Sequence, residues 1–120
     1  MEKQVDLIDF YTGFEGEPEL QFNFEVGKIS KQFVVWIGYF DAIMEAVEPS
    51  SEGWTGLAYY YHLNEGWYDA VDWPIPGLME VVQQIEKLKL DNFAEEVRQK
   101  LVSFLQEAVR NDVPVTMSYL

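Results

Sequence analysis

Between Leu20 and Val26 apolar and polar residues alternate without exception, which puts Leu20, Phe22, Phe24 and Val26 on one side of the chain and Gln21, Asn23 and Glu25 on the other. A period of two is the mark of a strand with one buried face. Val5 to Tyr11 is rich in residues that favour strands, and Thr12-Gly13-Phe14-Glu15-Gly16-Glu17-Pro18 between the two segments has the punctuation of a loop. Together they predict an antiparallel hairpin with an acidic tip. From Ser30 the period lengthens: Phe33, Trp36, Ile37, Phe40, Ile43, Met44 and Val47 recur at three- and four-residue steps. This predicts an amphipathic helix with Ser30 as its N-cap and Glu48-Pro49 as its stop, although Val34 and Val35 leave a strand open for its first turns.

The segment from Trp54 to Trp73 holds seven aromatic residues in twenty. Within it Gly56 to Leu63 reads as a short helix ended by Asn64-Glu65-Gly66, with a buried strand as the alternative. Further on, Pro76 suits the first turn of a helix whose apolar face is Leu78, Val81, Val82, Ile85 and Leu88. Asn92 and Glu95 have the spacing of a capping box for a last helix that buries Ala94, Val97, Leu101, Phe104, Leu105 and Ala108. Asn111-Asp112-Val113-Pro114 ends it, and Val115, Met117 and Tyr119 alternate with Thr116 and Ser118 as a closing strand. The fold expected from this order is α+β. A small antiparallel sheet, made of the N-terminal hairpin and the C-terminal strand, packs against three to four helices.

Length and composition fit that reading. A single domain of 120 residues buries about two thirds of the surface its unfolded chain exposes. Hydrophobic residues make up 48% and aromatics 16%, enough for a core and well above a disordered acidic tail. At least two of the four tryptophans are expected inside, whereas Tyr59, Tyr60 and Tyr61 cannot all face inward on one regular element. Cysteine is absent, which removes disulfides, thiolate catalysis and Cys-ligated zinc, and suits a reducing compartment. The N-terminus lacks the basic start and apolar run of a signal peptide, and no stretch approaches the roughly 20 apolar residues of a membrane span. A cytoplasmic location without membrane attachment is the expectation.

Charge changes the picture most. The formal net charge is −13, from 21 acidic and 8 basic residues, and residues 1 to 76 hold 14 of the acids and only 3 of the bases. Such a field opposes direct contact with nucleic acid or anionic lipid and draws in a basic protein. Catalytic chemistry is thin by comparison. His62 is the single histidine, and its Tyr-Tyr-Tyr-His setting favours a packed ring over a base; no HExxH, Walker, GxGxxG or GxSxG pattern occurs. Neither a cofactor nor a metal is expected. Glu65, Asp69 and Asp72 lie among Trp67, Tyr68 and Trp73 as paired carboxylates would in a sugar cleft, which keeps a carboxylate-dependent hydrolase as an alternative to a non-enzymatic role.

On the predicted helix Asp41, Glu45 and Glu48 form an acidic stripe, Glu52 follows it, and Glu15, Glu17 and Glu19 add a second cluster. The stripe spans about 10 Å with three charges, where duplex DNA carries roughly six. Alone it is too sparse for a DNA-mimic inhibitor, the other alternative. Trp54, Trp67 and Tyr68 supply the aromatic anchors that tight interfaces favour. On size, charge, Asp41, Glu45, Glu48, Glu52 and the Trp54 to Trp73 segment, the chain resembles the small acidic immunity proteins of bacterial polymorphic-toxin and contact-dependent inhibition systems. That resemblance implies a protein that binds a cognate toxin domain, often a basic nuclease, and blocks its active cleft. The partner-binding residues expected are Asp41, Glu45, Glu48, Glu52, Trp54, Trp67, Tyr68, Asp69 and Asp72.

Overall fold

A computed structural model describes residues 4–68 and 71–120. In chain order its elements are β1 (Gln4–Phe10), β2 (Glu19–Val26), β3 (Ile29–Trp36), α1 (Ile37–Glu45), α2 (Gly56–Leu63), β4 (Trp73–Pro74), α3 (Leu78–Glu86), α4 (Asn92–Arg110) and β5 (Thr116–Tyr119). The fold is α+β, with the five strands in one open mixed sheet of order β1-β3-β2-β5-β4. No helix among the described residues is long and apolar enough to cross a membrane.

The predicted hairpin pairs differently from expectation. β2 turns into β3, with Val26 opposite Ile29 and only Gly27 and Lys28 between them. Gly27 takes φ +60°, the backbone that two-residue hairpin turns demand. β1 and β2 do not pair, because β3 lies between them and pairs with β1 in parallel, Phe33 beside Ile8 and Val35 beside Phe10. Residues 11 to 18 therefore cross the end of β3 instead of closing a tight turn. Asp9 holds the start of this loop, accepting from the Tyr11 and Thr12 N–H groups and from the Thr12 hydroxyl. The Thr12 hydroxyl in particular keeps the Asp9 carboxyl below the usual carboxylate range. At the far end the Ile37 N–H donates to Pro18 O, Trp36 Nε1–H donates to Glu17 Oε1, and the Phe14 ring stacks on Trp36 at 4.1 Å.

The helix predicted from Ser30 begins only at Ile37. Phe33, Val34 and Val35 are all buried, as befits a strand hydrogen-bonded on both sides, and an apolar run of this length satisfies either period. α1 ends at Glu45, so Glu48 lies beyond it and the three-residue acidic stripe is cut to Asp41 and Glu45.

One face of the sheet carries the core. Leu20, Phe22, Phe33 and Met117 are fully buried there, Phe104 of α4 packs against Phe24 and Phe33, and Phe40 of α1 packs against Phe22. The other face presents Gln21, Asn23, Gln32, Thr116 and Ser118 to a shallow groove of about 680 Å³. At the margin of the core Lys31 ties β1 to α4 through Asp6 at 2.7 Å and Glu107 at 3.3 Å.

α3 and α4 keep the predicted apolar faces, but the capping box does not form. Glu95 accepts the Leu90 N–H, not that of Asn92, and grips Arg98, which in turn donates to the carbonyls of Ile85 and Glu86 at the end of α3. A buried arginine thus supplies donors to the last carbonyls of the helix, adding to the Leu88 N–H that Ile85 O already accepts.

Candidate functional site

The 54 to 73 segment is shaped by its ends. α2 stops where Asn64 enters the left-handed region at φ 53°, and the Glu65 N–H then donates to Tyr60 O. Gly66 follows at φ +83° beneath the Trp73 indole, where a Cβ would come within 2.5 Å of the ring, so only glycine fits. This turn swings Trp67 inward, where it is 3% exposed, donates its Nε1–H to Tyr60 O at 2.9 Å and stacks on Tyr61. It leaves Tyr68 outside, 47% exposed, with its ring against Trp67 and Tyr119.

The result is a pocket of about 390 Å³ where α1, α2 and the end of β5 meet, lined by Ile37, Asp41, Tyr61, His62, Asn64, Trp67, Tyr68 and Tyr119. Neither lysine nor arginine is among the lining residues. Its one carboxylate, Asp41, accepts the Tyr61 hydroxyl proton at 2.7 Å. Burial first, then that hydrogen bond and the charges of Asp41 and Glu45, hold the Tyr61 phenol protonated well above its ordinary range. Glu45 stands one helical turn from Asp41 and extends the negative field toward solvent.

The other expected partner-binding residues are dispersed. Trp54 reaches the pocket at second hand, stacked at 3.8 Å on His62. Glu48 lines a separate cleft with Glu80, Gln83 and Lys87. Glu52 is exposed in the turn closed by Ser50 and Gly53. Asp72 lies on the open face of the sheet, where its N–H donates to the Ser118 hydroxyl at 2.9 Å. Asp69 lies outside the described residues. Among the four tryptophans only Trp67 is buried, with Trp36, Trp54 and Trp73 half-buried, and of the tyrosine triplet Tyr59 faces solvent. Among the described residues no three histidine, aspartate or glutamate side chains gather as a metal-binding group.

Reading the residues alone missed Tyr61 and Tyr119. Tyr61 stands 20 positions from the carboxylate it bonds, and Tyr119 comes from the last strand, so neither had a local signal beyond the tyrosine triplet itself. His62 is packed between Trp54 and Tyr61, and its Nε2 is enclosed with no hydrogen-bond partner among the described residues. An enclosed polar atom without a partner is destabilising, and a phenyl ring preserves the stack. His62→Phe is therefore expected to raise stability by about 1 kcal/mol in thermal denaturation; a loss of that size would contradict it. Comparison with protein-family models, with curated proteins and with solved structures finds no match to this chain.

Proposed function

We propose that this chain is a cytoplasmic immunity protein that neutralises a toxin domain by docking its acidic, aromatic end onto a cationic active cleft. The single observation that carries the reading is the pocket between α1 and α2, where Asp41 sits among Tyr61, Trp67 and Tyr68, with Glu45 a turn away and neither lysine nor arginine in the lining. Aromatic rings that bury area at low entropy cost, next to carboxylates that steer a cation, are the two components of a fast and tight interface. Glu17 on the loop that crosses β3 and Glu19 at the start of β2 both lie beside Trp36, the residue just before α1, and add negative charge near the start of that helix.

The test is co-expression with the product of the neighbouring reading frame, expected to be toxic by itself, together with the association rate of the purified pair. The wild-type chain is expected to restore growth, and the double reversal Asp41→Lys, Glu45→Lys to lose that protection while remaining folded. The association rate is expected to fall about tenfold or more as ionic strength rises from about 0.01 to 0.15 M, because the screening length shrinks from about 30 to about 8 Å. A rate indifferent to salt, or full protection by the double reversal, would remove the reading.

A further inference from the structure

We propose that the pocket beside Asp41 is an arginine receptor, in which a guanidinium from the partner protein donates to Asp41 and Tyr61 and lies against the aromatic walls. The inference rests on the docking reading and names what the partner must present. Tyr61 donates its only hydroxyl proton to Asp41 Oδ1, so the phenol oxygen and the carboxylate form two acceptors 2.7 Å apart. A guanidinium carries parallel N–H donors at a spacing that suits such a pair, whereas an ammonium is a single point donor.

The walls argue the same way. Tyr61, Trp67, Tyr68 and Tyr119 surround the carboxylate with ring surface. A planar, weakly hydrated cation stacks on such surface, but a strongly hydrated ammonium would surrender more water than one carboxylate replaces. Tyr61 stays neutral because burial and Asp41 both disfavour its phenolate, so the acceptor pair keeps one negative charge and matches one guanidinium. The volume of about 390 Å³ takes a side chain, and the exposed Tyr68 forms the outer wall over which that side chain enters.

The experiment titrates the isolated, isotope-labelled chain with ethylguanidinium at constant ionic strength, with butylammonium as the comparison, and follows the Trp67 indole N–H and the Tyr68 ring by NMR. Ethylguanidinium is expected to shift both signals saturably, at least about fivefold more tightly than butylammonium. Asp41→Asn keeps an oxygen for the Tyr61 hydroxyl and removes the charge, and is expected to weaken binding about tenfold. Tyr68→Ala, at an exposed position, is expected to weaken it about threefold. No saturable shift, equal affinity for the two cations, or full affinity in Asp41→Asn would overturn the proposal. If those results come with an association rate that still falls with salt, the receptor is refuted and the docking reading survives. A salt-indifferent rate beside specific ethylguanidinium binding would refute the docking reading and leave the pocket.

Discussion

Phe33→Ala is expected to remove about 4 kcal/mol of stability, a large share of the roughly 5 to 15 kcal/mol that holds a domain of this kind together. Phe33 is fully buried in the middle of β3, and its ring meets those of Phe10, Phe22 and Phe104 at centroid distances of 5.5, 6.1 and 5.6 Å. These neighbours come from β1, β2 and α4, so the cavity would open where the sheet joins its covering helix. Packed rings from three elements cannot all collapse into it, which puts the change at the costly end of the range. A fall in melting temperature of about 15 °C is the corresponding expectation. Gln32→Ala, one residue away on the open face, is expected to stay within about 0.5 kcal/mol. A small loss at Phe33 and a large one at Gln32 in urea denaturation would mean that the sheet faces the other way. The contrast bears on function too, because β3 leads directly into α1, which carries Asp41 and Glu45.

Arg98→Met is the second large effect, expected at about 3 kcal/mol at neutral pH. Arg98 is 7% exposed, and its guanidinium meets Glu95 with two bonds, at 2.8 and 2.5 Å, and the carbonyls of Ile85 and Glu86 at 3.1 Å each. Methionine keeps most of the stem's volume but takes the Arg98 donor from the Glu86 carbonyl, leaves Ile85 O with the Leu88 N–H alone, and leaves the Glu95 carboxylate without its cation. A loss below about 0.5 kcal/mol in urea denaturation would show that the pair of buried Arg98 and half-buried Glu95 is energetically idle, an outcome known for ion pairs whose desolvation cancels their attraction.

The same contact fixes the direction of a pH dependence. Arg98, then the Leu90 N–H and the Gln99 amide, hold the Glu95 carboxyl far below its ordinary value of 4.5. A carboxyl lowered in the folded state contributes its stabilisation in full above that ordinary value, and the contribution is lost as pH falls below it toward the folded value. The wild-type chain should therefore lose stability on acidification more steeply than Glu95→Gln below about pH 4.5. Parallel acid limbs for the two proteins would contradict the assignment.

How far the residues alone reach is best seen element by element. The alternation in β2, the apolar faces of α3 and α4, and the closing strand at Thr116–Tyr119 were all legible, because a period of two or 3.6 follows from backbone geometry and the burial of one face. The end of α2 at Asn64 was legible for a similar reason, since asparagine tolerates the left-handed backbone that stops a helix. β3 was not. Its run through Phe33, Val34 and Val35 is apolar and buried on both faces, and such a run has no period to read.

Of the partner-binding residues proposed from charge and aromatic content, Asp41, Glu45, Trp67 and Tyr68 meet around one pocket, while Glu48, Glu52 and Asp72 do not join them. Their chemistry was written locally, as carboxylates and rings in one half of the chain. Their company was not, because it depends on β3 wedging between β1 and β2 and on the Gly66 turn carrying Trp67 under Tyr61. Residue type and spacing determine which face of an element is apolar and where an element stops. Which elements become neighbours is a contest among long-range packings, settled by the core as a whole, and the pocket at Asp41 exists only once that contest is decided.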